Sequence, residues 1–279
     1  MLRFGRIIFG LRPGAIDRGA LEFSADMANL LGVALQGLFI EDEFLKELAA
    51  SSRMREFHLL SREWRSIDAG RMAEDMQLAA RSAEHFVQKI ALERGIESLF
   101  DVLGSGSVAE FLRLTHPRDI LVVSNPDNPQ ERLAPLSSFE SFGRSSSTTM
   151  LLPRRIMRRK GPVIGLSSLA GDSTLRVAAA IAHAANERLL VVAPAKAPDY
   201  ESILDAARVA GIEKNDVELL SLSRIDTQNF LAALDPLRER MIVLPRASDD
   251  TAKHIDPSMI VSMRSAPVII VDPLAKFES

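Results

Sequence analysis

The chain contains no cysteine. That excludes disulfides, thiolate nucleophiles and cysteine-ligated metals together, and it fits a reducing compartment. No apolar run approaches the ~18 residues that a membrane span requires. The N-terminal run at residues 7–11 is too short for the core of a secretion signal. A cytoplasmic protein with no membrane partner is therefore expected. The histidines, His58, His85, His116, His183 and His254, include no pair at ligand spacing, so no metal site is expected. Nucleophile elbow, Walker A loop and dinucleotide fingerprint are all missing, and Gly104-Ser105-Gly106 is too short to stand for the last. The formal net charge of −3 argues against a general nucleic-acid surface.

What is present is a chain of 279 residues, 47% hydrophobic and 25% charged, the balance of a folded globular protein. It has room for two ordinary domains of about 100–150 residues. Its two halves repeat each other. Arg6-Ile7-Ile8-Phe9-Gly10-Leu11 opens the first and Pro162-Val163-Ile164-Gly165-Leu166 the second. Aligning Gly10-Leu11 on Gly165-Leu166 without a gap places Asp17 on Asp172, each just before an apolar helical stretch.

Short, continuously apolar strands alternate with helical patterns in both halves. In the first, strands are read at 6–11, 33–40, 99–103, 120–123 and 148–152, with helices after Asp17 and at 70–94. Ser107 and Glu110 form a capping-box pattern, and a short helix is expected near 136–142. In the second half, strands are read at 163–166, 189–193, 217–222, 241–244 and 268–271. Helices fall between them at 172–185, 200–210 and 226–234, and one begins at Asp256-Pro257. Such a pattern implies parallel sheets covered on both faces. Two segments break the symmetry, an insertion at 43–69 and a basic connector from Arg154 to Lys160. The expected layout is a first domain at 1–153, a connector at 154–161 and a second domain at 162–279.

Together these signatures resemble the universal stress protein family in a fused tandem form. The residues that carry the likeness are Gly104-Ser105-Gly106-Ser107-Val108-Ala109-Glu110 followed by Arg118-Asp119-Ile120-Leu121-Val122-Val123. Gly171-Asp172-Ser173-Thr174 and Ser265-Ala266-Pro267-Val268-Ile269-Ile270-Val271 add to it. The resemblance implies an α/β fold of two doubly wound domains. Each would hold a five-stranded parallel sheet in the order 3-2-1-4-5 with helices on both faces. It also implies a pseudo-twofold pair with adjacent fifth strands, which could dimerise again.

Many members of that family bind ATP through an acidic residue after strand one and a glycine-rich segment after strand four. Arg12 and Ser167 stand here near the acidic position. After strand four come Ser124-Asn125-Pro126-Asp127-Asn128-Pro129 and Pro245-Arg246-Ala247-Ser248-Asp249-Asp250, where prolines donate no amide and carboxylates repel phosphate. Asp256 would cap the last helix where a phosphate would bind. The expected function is therefore a non-enzymatic regulatory or scaffold protein without a cofactor. The alternative is a nucleotide-responsive switch holding ATP or AMP in the first domain only, through Arg12, Ser124, Asn125, Ser137 and Ser138. Those serines equally suit a plain helix cap. A protein partner, unidentified, would meet Phe44, Leu48 and Trp64 of the insertion, unless that segment folds back over the first sheet. The connector is either a solvated linker or a grip for an anionic partner.

Overall fold

The protein is described from a computed structural model, which defines residues 4–11, 13, 16–41, 55–66, 68–104, 113–116, 118–124, 148–155, 160–167, 173–195, 200–246 and 254–272. The first half contributes β1 (Arg6–Leu11), α1 (Arg18–Leu31), β2 (Ala34–Ile40), β3 (Arg55–His58) and β4 (Glu63–Ser66). It continues with α2 (Ala69–Arg94), β5 (Ser98–Leu103), β6 (Ile120–Ser124) and β7 (Thr148–Leu152). The second half contributes β8 (Val163–Leu166), α3 (Ser173–Ala185), β9 (Leu189–Pro194), α4 (Tyr200–Val209) and β10 (Val217–Leu222). It ends with α5 (Thr227–Leu234), β11 (Met241–Pro245), α6 (Pro257–Arg264) and β12 (Val268–Val271). The capping box at Ser107 and Glu110 and the helix expected near 136–142 lie outside the described residues.

Helix ends follow from local chemistry. Asp17 accepts the Ala20 amide at 3.0 Å, and Asp68 accepts those of Gly70 and Arg71, which satisfies donors that a helix start leaves orphaned. Gly32 and Gly95 close α1 and α2 in the left-handed conformation. The inner strands are buried on both faces, which their uninterrupted apolar sequences require.

The strands form one ten-stranded sheet in the order β10-β9-β8-β11-β12-β7-β6-β1-β2-β5. Read from its outer edge towards the middle, each half has the order 3-2-1-4-5, as expected. All neighbours are parallel except β7 and β12, which run antiparallel with Met150 opposite Ile269. The fifth strands thus join the two sheets. A core of both halves lies on each face: α1, α2, α3 and α4 cover one, α5 and α6 the other.

The repeat has a different register from the ungapped alignment. Phe9 pairs with Val122 on strand four, and Gly165 pairs with Val243. Gly165 therefore occupies the place of Phe9, not of Gly10. A slip of one residue changes the face of the sheet, so Gly10 and Gly165 point to opposite layers. A side chain at Gly165 would meet the Ala178 methyl at 2.9 Å, so the missing Cβ sets how closely α3 lies on the sheet.

Each half is also pinned where its first strand begins. Gly5 donates its amide to Arg118, and Arg240 donates to Pro162. Gly161 has φ +125, and a Cβ there would stand 2.0 Å from the Arg238 carbonyl oxygen. Backbone cannot yield as a flexible side chain does. Gly161→Ala should therefore lose about 3 kcal/mol or more of stability, against about 0.5 kcal/mol or less for Lys160→Ala at the exposed neighbouring position. Urea unfolding of both variants measures the difference.

Candidate functional site

A 3-2-1-4-5 sheet reverses its strand order between strands one and four, and ligands of such sheets bind outside the strand ends at that point. Here the two mouths lie beyond Leu11 and Ser124 and beyond Leu166 and Pro245. The antiparallel β7–β12 junction makes them open at opposite edges of the sheet.

In the first mouth the structure places Ser124, half-buried at the end of β6 and level with Leu152 of β7. Arg12, Asn125, Ser137 and Ser138, expected to group here for the nucleotide alternative, lie outside the described residues. Behind this mouth the sheet is locked by a charge pair. Arg6 Nε lies 3.0 Å from Asp119, whose buried carboxylate also accepts the His116 amide at 2.8 Å.

The second mouth is defined in more detail. Helix α6 begins where the sequence indicates. Asp256 is its N-cap and Pro257 its first residue, and the Asp256 carboxylate accepts the amides of Ser258 at 3.0 Å and Met259 at 3.2 Å. The Ile260 amide bonds to the Asp256 carbonyl at 3.1 Å. Proline has no amide, so every donor of this helix start is absent or taken. An incoming phosphate would have to displace a carboxylate that is covalently part of the chain. Asp249 and Asp250, expected to add repulsion, lie outside the described residues.

The cap is held in place from the side. The Thr227 hydroxyl donates to the His254 carbonyl at 3.1 Å and accepts the Asp256 amide at 2.8 Å. At the far end of α6, Arg264 forks onto Glu239 at 2.8 and 2.7 Å and donates to the carbonyls of Leu234 and Leu237. Glu239 is 0% exposed, so both charges depend on this pairing. The hydrogen bond to Glu239 raises the Arg264 pKa against the opposing effect of burial.

Sequence reading missed a cation here. Arg246 leaves β11 with its amide bonded to the Val271 carbonyl at 2.7 Å. Burial lowers its pKa, and the nearby Asp272 carboxylate pulls it back up. The Asp272 carbonyl accepts the Ser173 hydroxyl at 2.6 Å, which ties the start of α3 to the exit of β12. Ser167 is buried, its amide bonded to Val192. The signal for Arg246 was available, an arginine immediately after strand four, but the acidic residues that follow drew the reading away.

The insertion contains a β-hairpin, β3 with β4, in which Phe57 stands opposite Trp64 with ring centroids 5.3 Å apart. Trp64 is 65% exposed and Phe57 45%, so these residues do not cover the sheet as one reading of the insertion supposed. Phe44 and Leu48 lie outside the described residues. Among the described residues no group of histidine, aspartate and glutamate could hold a metal, and no helix is long and apolar enough to cross a membrane.

These features define a tandem doubly wound α/β protein with the universal stress protein fold. A universal stress protein from Archaeoglobus fulgidus superposes with a TM-score of 0.61 at 14% identity, over 95% of this chain and 96% of that one. A putative universal stress protein from Pseudomonas aeruginosa UCBPP-PA14 gives 0.53 at 14% identity, over 97% and 94%. A functionally unknown protein from Pseudomonas aeruginosa PAO1 gives 0.53 at 13%, over 97% and 93%. No protein-family model matches the sequence, and no curated protein does.

Removing the cap and removing the clamp should have different costs. Asp256→Ala should lose about 1 kcal/mol, the usual worth of an N-cap. Arg264→Met should lose about 3–5 kcal/mol because Glu239 is left buried and unpaired, and Arg264→Met with Glu239→Leu should recover most of it. Denaturant midpoints of the three variants check this.

Proposed function

We propose that this chain is a non-enzymatic regulatory or scaffold protein of the universal stress type, whose second half does not bind ATP. The observation that carries the reading is the start of α6, where Asp256 and Pro257 leave no free amide for a phosphate. Phosphate recognition at a helix start depends on those donors together with the positive end of the helix dipole. A carboxylate already seated there satisfies both. The fold shared with universal stress proteins supports the class, and the joined sheet supports a scaffold that presents fixed surfaces. Its partner would be a protein, and its exposed hairpin at Phe57 and Trp64 is the surface offered for it.

The test is a thermal shift with millimolar ATP and magnesium. A ligand bound only by the folded state raises the midpoint, so the reading expects no displacement. A saturable rise would contradict it. If such a rise disappears in Ser137→Asp and Ser138→Asp but survives Ser258→Asp, the nucleotide belongs to the first half and the switch reading takes over.

A further inference from the structure

Between the two halves, on the face covered by α1, α3 and α4, lies a cavity of about 400 Å³. Phe4 and Leu31 form its wall from the first half, and Ala180, Ala184, Ala206 and Val209 its wall from the second. Small-molecule pockets span about 300–1,000 Å³, are mostly apolar with a few polar groups, and favour the seams between domains. This cavity meets each condition. It also stands apart from both strand-end mouths and from every residue named in connection with nucleotide.

Its polar groups are Arg176 and His183, seven positions apart on one partly exposed face of α3 with Ala180 between them. Arg176 is half-buried, and no hydrogen-bond or ion-pair partner for it is found among the described residues. It also sits in the first turn of α3, where the helix dipole disfavours a cation. Three other partly buried arginines are paired with carboxylates: Arg6 with Asp119, Arg94 with Asp26 and Arg264 with Glu239. A guanidinium at an apolar cavity, facing no carboxylate among the described residues, is complementary to a ligand that brings one. The fork geometry of arginine suits a carboxylate in particular. Across the cavity Val209 is 81% exposed, and with Leu31 it offers the apolar surface that such a ligand's tail would cover.

We propose that this seam binds an amphipathic monocarboxylate, such as a medium-chain fatty acid, with the carboxylate on Arg176 and the tail between α1, α3 and α4. Because both halves line the cavity, occupancy would also strengthen their association, so the ligand acts on the joint between them. This proposal does not depend on the absence of ATP.

Calorimetric titration of the full chain with hexanoate, octanoate and decanoate below their micelle concentrations tests it. Affinity should rise about fourfold per methylene as the tail is buried. Arg176→Gln should weaken decanoate binding roughly ten- to hundredfold, and decanol should bind the native protein as poorly as decanoate binds that variant. Ala184→Phe, which fills the cavity from an exposed helix position, should block binding while leaving Arg176 in place. Circular dichroism confirms that the variants are folded. No saturable heat with any of the acids would overturn the proposal. Equal affinity for decanol and decanoate, or undiminished binding by Arg176→Gln, would overturn it as well.

Discussion

The antiparallel pairing of β7 with β12 is the contact from which the rest of the architecture follows. β12 is wholly apolar and β7 ends in Met150-Leu151-Leu152, and Thr148 to Leu152 are buried along the whole length of β7. Left alone, either would be a flat hydrophobic edge, which invites association with other chains. Paired, they convert two five-stranded sheets into one and leave only β5 and β10 at the margins. The pairing also fixes how the halves face. Their first helices, α1 and α3, come into contact on one face, and their strand-end mouths point opposite ways. A seam with its own cavity is a consequence of this joint, not of either half.

The second mouth shows how a fold built to receive a ligand can be satisfied from within. The sheet still delivers a helix start to the region where strand order reverses. Asp256, Thr227 and the Ser173–Asp272 bond then use up donors and join neighbouring elements across the space. Arg246 supplies a cation there, yet its neighbour Asp272 answers that charge locally.

Much of this was legible in the sequence because buried parallel strands and helix caps have local signatures. Val217–Leu222 and Val268–Val271 are strands at the positions their apolar runs indicate, and Asp226 and Asp256 cap the helices they precede. What escaped were relations between distant residues. The Arg264–Glu239 clamp joins positions 25 residues apart that carry no shared pattern. The register of the repeat was misjudged because a shared Gly-Leu pair says nothing of which face a strand presents, and only the pairing of Phe9 and Gly165 with strand four decides that. The hairpin went unseen because its turn lacks glycine, asparagine and proline. Arg62 takes the left-handed conformation there with φ 56, a role few sequences give to arginine. Of the nucleotide-site residues named in advance, only Ser124 falls among the described positions, so that part of the site was legible as a list and not as a geometry.

The most direct measurement of the central claim is amide hydrogen exchange at Ser258 and Met259, followed with and without ATP and magnesium. If the Asp256 carboxylate holds both amides, their exchange is slow from the start and does not change when nucleotide is added. New protection at these two amides on adding ATP would mean that phosphate displaces the carboxylate, and the account of a self-occupied mouth would be wrong.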